Sequence, residues 1–155
     1  MIMKFKIVWV LVMMLSLHGY SREKYGDSFS FARSGTDILE VRKGNLSVGA
    51  STVASSSKGK HSSAKAVDGS LTSFWQSSQS AGWIVVDLKT SYSLTSICQV
   101  FHESSVWKFK VEGSVDKENW LLLVDKTKGA SGDVFAESVS GVYRYVCLLY
   151  TSDAA

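Results

Sequence analysis

The sequence predicts an all-β domain. Short runs of alternating apolar residues recur at about 10 to 15 residue spacing between polar turns, and no segment longer than a turn or two carries the 3.6-residue apolar period of an amphipathic helix. β-Branched and aromatic residues concentrate in those runs. At 155 residues, 45% hydrophobic and 12% aromatic, the chain holds enough apolar surface for one ordinary core.

Residues 1–21 are set aside from the fold. Lys4 and Lys6 precede an apolar run over residues 7–17, and the small Gly19 and Ser21 stand where a signal peptidase cuts. The run is shorter than the roughly 20 residues that span a bilayer. It reads as a secretory signal peptide, which places the mature protein outside the cytoplasm, in the periplasm or at the cell surface. Residues 22–44 are weakly patterned and read as a lead-in segment. Asn45-Leu46-Ser47-Val48 opens the domain proper, and residues 51–63 are Ser-rich and read as a loop.

Next comes a compact loop over residues 65–75, with Asp68-Gly69 at a tight turn. It is followed by the strand Trp83-Ile84-Val85-Val86-Asp87-Leu88, in which Ile84, Val86 and Leu88 share one face. Residues 93–101 form another strand with Leu94 and Ile97 in the core, and residues 101–107 read as a loop. Lys108-Phe109-Lys110-Val111-Glu112-Gly113 alternates charged and apolar residues, as a half-buried antiparallel strand does. Asp116-Lys117-Glu118-Asn119 turns the chain into a strand over residues 120–124. Residues 127–132 are a polar loop, and residues 141–146 form the last strand.

The loop closed by Phe74 and Trp75, W-I-x-V-D-L at residues 83–88, the turn before Trp120 and the strand holding Tyr145 stand together in an order that resembles the coagulation-factor type C (discoidin) domain. The bacterial branch of that family is carbohydrate-binding module family 32. The resemblance covers residues 45–146 and implies a jelly-roll β-sandwich of the galactose-binding kind, with Trp75, Trp83 and Trp120 in its core. The family has glycine where this chain has Lys117; a turn needing positive φ there would cost lysine about 1 kcal/mol. After Val146 the likeness stops. Residues 147–155 match the in-frame translation of a transposase adapter from sequencing libraries, so the family's closing strand is expected to be missing.

By the same resemblance, the backbone carbonyls of Lys65 and Ser70, the Asp68 carboxylate and the Ser73 carbonyl and hydroxyl would hold a structural calcium ion. Hard oxygens of this kind are what calcium prefers, although it needs six to eight of them. The alternative is that Asp68 only caps its own turn. For sugar, an aromatic face and a few directional polar groups are required. Residues 101–107 offer Trp107 as platform or core residue, with His102 and Glu103 as polar contacts. After residue 21 the only histidines are His61 and His102, and the G-x-S-x-G, H-E-x-x-H and phosphate-loop motifs are lacking. The expected function is a non-catalytic carbohydrate-binding module, a monomer when completed, once attached to a glycoside hydrolase. The other reading is an adhesion module for protein or phospholipid head groups. A net charge of +3 from scattered lysines and arginines signals neither nucleic acid nor membrane.

Overall fold

The structure is a computed structural model that describes residues 7–8, 45–70 and 72–151. The lead-in segment, the peptidase site and most of the leader lie outside these residues. Among the described residues eight strands form two antiparallel sheets: β1 (Ile7–Val8), β2 (Ser51–Ala54), β3 (Ala81–Ser93), β4 (Ser96–Trp107), β5 (Phe109–Ser114), β6 (Leu121–Asp125), β7 (Ala130–Ser138) and β8 (Val142–Thr151). One sheet runs β2-β3-β8-β5-β6 and the other β1-β4-β7. One turn of 3-10 helix, Ser63–Ala66, leads into the Asp68 loop. The strands are of the kind that the alternation predicts, and their two sheets form the sandwich that the family resemblance implies.

The core lies between the sheets. Ile84, Val86 and Leu88 of β3, Val146, Leu148 and Tyr150 of β8, and Val111 of β5 face Ile97 and Phe101 of β4. Four aromatic rings join the two layers at one end. Phe101 stacks on Trp107 with centroids 4.3 Å apart, Phe109 lies tilted against Phe101 at 5.2 Å, and Phe135 packs edge-on against it at 5.6 Å. Such offset and edge contacts add about 0.5–1.5 kcal/mol per pair beyond the area they bury.

Several expectations change. The alternation that turns Ile84 and Val86 inward turns Trp83 outward, and it is 38% exposed instead of core. Trp120 is half-buried at the entry to the edge strand β6, where its indole N–H donates to the Lys117 carbonyl (3.0 Å) and closes the turn. Trp75 is the core tryptophan of the three, fully buried with its N–H on the Ser56 carbonyl (2.9 Å). The Ser-rich stretch holds strand β2, and residues 130–138 form β7 where the polar loop was expected to continue. β8 runs past Val146 to Thr151 in the middle of its sheet, pairing Cys147 with Val85 and with Glu112. Leu148 and Tyr150 beyond that point are core residues.

Lys117 has φ +68°, so the turn does require the left-handed conformation that glycine would take without strain. Asp116 holds the turn by accepting the N–H groups of Glu118 and Asn119, both at 2.8 Å, and the Asn119 side-chain amide at 2.7 Å. These donors keep its carboxyl well below the usual carboxylate range. The Lys117 ammonium lies 4.6 Å from the Tyr145 ring centroid, which returns part of the backbone cost.

Candidate functional site

The site is built where the loops between β2 and β3 meet β4. Residues 58–61 form a tight turn with Gly59 at φ +55°, and an isolated antiparallel bridge makes Lys58 and His61 direct cross-strand partners. Gln76 clamps the turn: the Lys58 N–H donates to the Gln76 carbonyl (2.8 Å), and the Gln76 N–H donates to the His61 carbonyl (3.2 Å). The His61 ring is thereby laid on Phe74, with centroids 4.0 Å apart and planes 13° from parallel. His102, reaching across from β4, meets the same phenyl ring at 4.7 Å and 42°.

Phe74 is a buried wedge holding two imidazoles side by side, with His61 half-exposed and His102 exposed. His102 is displayed because the pairing of β4 with β7 breaks between Val100 and Ser105. A bulge of this kind re-aims side chains at a sheet edge. It also means that residues 101–107 are not a loop, since β4 runs through them. Glu103 is exposed next to His102. Trp107 is corrected to a core position: it is 3% exposed, stacked on Phe101, with its indole N–H directed at the Glu103 carbonyl (3.2 Å). A stacking platform must present a face, and Trp107 presents none. The sequence therefore singled out His102 and Glu103 but missed His61 and Phe74, because the ring contacts that Phe74 makes with both histidines are tertiary and leave no spacing signal.

The Asp68 loop ends at this wedge, since Ser73 precedes Phe74. Gly69 has φ +77°. Asp68 Oδ1 accepts the Ser70 N–H (2.9 Å), Oδ2 accepts the Ser73 hydroxyl (2.6 Å), and the Lys65 ammonium stands 3.8 Å from Oδ2. The turn-capping bond expected as the alternative is thus present. Asp68 and Ser73 also converge as hard oxygen donors, which suits calcium in kind. Among the described residues no three His, Cys, Asp or Glu side chains gather at a common point, and calcium takes six to eight oxygens.

Elsewhere the titratable groups are structural. A two-pronged ion pair joins Arg144 to Asp87 at 2.9 and 3.0 Å, and it holds the Asp87 carboxyl below its ordinary range. Burial pushes the Cys98 and Cys147 thiols up to about 12, which leaves them poor nucleophiles.

Residues 51–154 match the family model of the F5/8 type C domain. The chain belongs to the F5/8 type C domain family. No curated protein sequence matches this F5/8 type C domain. Among solved structures it is similar to the Clostridium perfringens module CpGH89CBM32-4 in complex with GlcNAc-α-1,4-galactose, at 18% identity and TM-score 0.65, covering 71% of this chain and 80% of that one. A chitosan-binding module from a Paenibacillus chitosanase/glucanase, in complex with chitotriose, aligns at 22% identity and TM-score 0.62, covering 72% and 90%. A family 89 glycoside hydrolase of Clostridium perfringens aligns at 22% identity and TM-score 0.62 over 70% of this chain and 13% of the enzyme's.

Proposed function

We propose that this F5/8 type C domain is a non-catalytic carbohydrate-binding module of a secreted protein, carried in its parent beside a glycoside hydrolase. The observation that carries the reading is the His61–Phe74–His102 stack, which presents two imidazoles at the rim of the sandwich. Imidazole edges supply directional hydrogen bonds for sugar hydroxyls, ring faces take the C–H side of a pyranose, and Glu103 adds an acceptor. The sugar-bound modules of the same fold support the class of ligand. The enzyme of which a similar fold forms 13% supports the attachment, whose effect would be to hold a catalytic domain near its polymer.

Calcium belongs to the same reading. The carbonyls of Lys65 and Ser70, the Asp68 carboxylate and Ser73 would hold the ion, and its part would be to fix the loop that sets Phe74 against both histidines.

The test is a glycan array with the wild-type protein, followed by titration of the best ligand. His102→Ala should cost about 1–3 kcal/mol of affinity, as when a desolvated hydroxyl loses its partner, with the melting temperature unchanged. Calcium should raise the melting temperature of wild type and leave Asp68→Ala unmoved. An array with no glycan bound, together with binding to anionic liposomes, would replace the sugar reading with the adhesion one.

A further inference from the structure

We infer that the glycan taken by this site is acidic, bearing a carboxylate or a sulfate ester; the inference rests on the carbohydrate-binding reading. The evidence is the turn Lys58-Gly59-Lys60-His61. Residues directly opposed in an antiparallel bridge project their side chains to the same side. The Lys58↔His61 bridge therefore places the Lys58 ammonium on the side from which His61 stacks on Phe74. Lys60 lies one residue before His61 on the same clamped turn, and both lysines are exposed.

Neither lysine's ammonium group has a hydrogen-bond or ion-pair partner among the described residues. Four other cations of the domain are neutralised: Lys65 by Asp68, Lys110 by Glu112, Lys126 by Glu137 and Arg144 by Asp87. Around the ring stack, Asp68 is engaged by Lys65, Ser70 and Ser73, Glu103 is exposed next to His102, and the half-buried Asp133 of β7 lies opposite the β4 break. On the His61 side the charge is set by two exposed lysines, on a turn whose backbone is fixed by three hydrogen bonds. A ligand approaching His61 meets positive potential, and that potential costs no rearrangement of the loop. Chitosan, a polyamine, suits this site poorly, in contrast with the Paenibacillus modules of the same fold.

Affinity electrophoresis of the wild-type chain through gels containing polygalacturonate, dextran sulfate, neutral galactan or chitosan tests the inference and separates carboxylate from sulfate. Retardation is expected in one or both acidic gels and should weaken as salt rises. The Lys58→Ala/Lys60→Ala variant should bind the retarding acidic polymer at least about tenfold more weakly, the loss expected when a charge-assisted hydrogen bond is removed. Lys128→Ala, which removes an exposed lysine elsewhere, should behave as wild type. Equal loss in Lys128→Ala would mean binding to net charge and would overturn the inference. Binding to neutral galactan that falls with His102→Ala but not with the lysine pair would overturn it while leaving the carbohydrate reading intact. Absence of binding to any glycan would remove both.

Discussion

Gln99 is the most consequential residue of the core for a stability experiment. It sits on β4 between Ile97 and Phe101 on the inward face, is fully buried, and neither its amide nitrogen nor its amide oxygen has a hydrogen-bond partner among the described residues. Each buried polar atom left unpaired costs about 1–3 kcal/mol. Leucine is close to glutamine in size and contributes apolar burial in place of the amide. A shape mismatch of this kind costs under about 1.5 kcal/mol. Gln99→Leu should therefore stabilise the domain by roughly 1–3 kcal/mol. Urea unfolding should show a higher midpoint at an unchanged slope, and the melting temperature should rise by about 4–8 °C per kcal/mol in a domain of this size. Gln99→Glu should move both readings the other way, because an unpaired carboxyl is costlier to bury than an amide. A lower midpoint for Gln99→Leu would refute the reasoning; it would mean that the amide is satisfied, for instance by an internal water.

Trp107→Ala should lower folding stability by about 3–5 kcal/mol, the usual cost of truncating a buried aromatic; sugar affinity lost at unchanged stability would return Trp107 to the role of platform. Lys117→Gly should change stability by under about 0.5 kcal/mol, since relief of the positive-φ cost of about 1 kcal/mol is offset by losing the cation–π contact with Tyr145. The same substitution made in Tyr145→Leu should then be stabilising, and a double-mutant cycle with no coupling would count against this balance. Asp87 has its carboxyl depressed by Arg144, so its contribution is present above the ordinary carboxylate range and is lost as pH falls through the depressed value. Below about pH 4, wild type should lose stability more steeply than Arg144→Gln; parallel acid-unfolding curves would contradict that.

The alternation at residues 83–88 and 108–113 was legible because each strand buries one face and exposes the other, so period two is written into the composition. The same alternation puts Trp83 on the face opposite Ile84 and Val86, and the expectation that Trp83 is a core residue overlooked it. β7 was hidden because Ser131 and Gly132 are turn residues by composition and become strand through pairing with Val106 and Ser105. The site was half legible. His102 and Glu103 lie in a segment of mixed polar and aromatic residues, but the β4 bulge that displays His102 has no sequence signature. The contact of His102 with Phe74, which also carries His61, exists only once the sheets have packed.

That contact makes the site a joint between the two sheets. His61 and Phe74 come from loops of the five-stranded sheet, whereas His102 belongs to the other, so a ligand touching both imidazoles is bound only by molecules whose sheets are docked. Occupancy is then a vote for the assembled sandwich, worth about 2.7 kcal/mol when ligand stands at a hundred times its dissociation constant. The domain would act as its own reporter: a sugar that fits both halves raises the melting temperature, and one that touches only a single loop barely moves it. Ranking glycans by thermal shift alone should sort cross-sheet ligands from one-sided ones before any complex is crystallised.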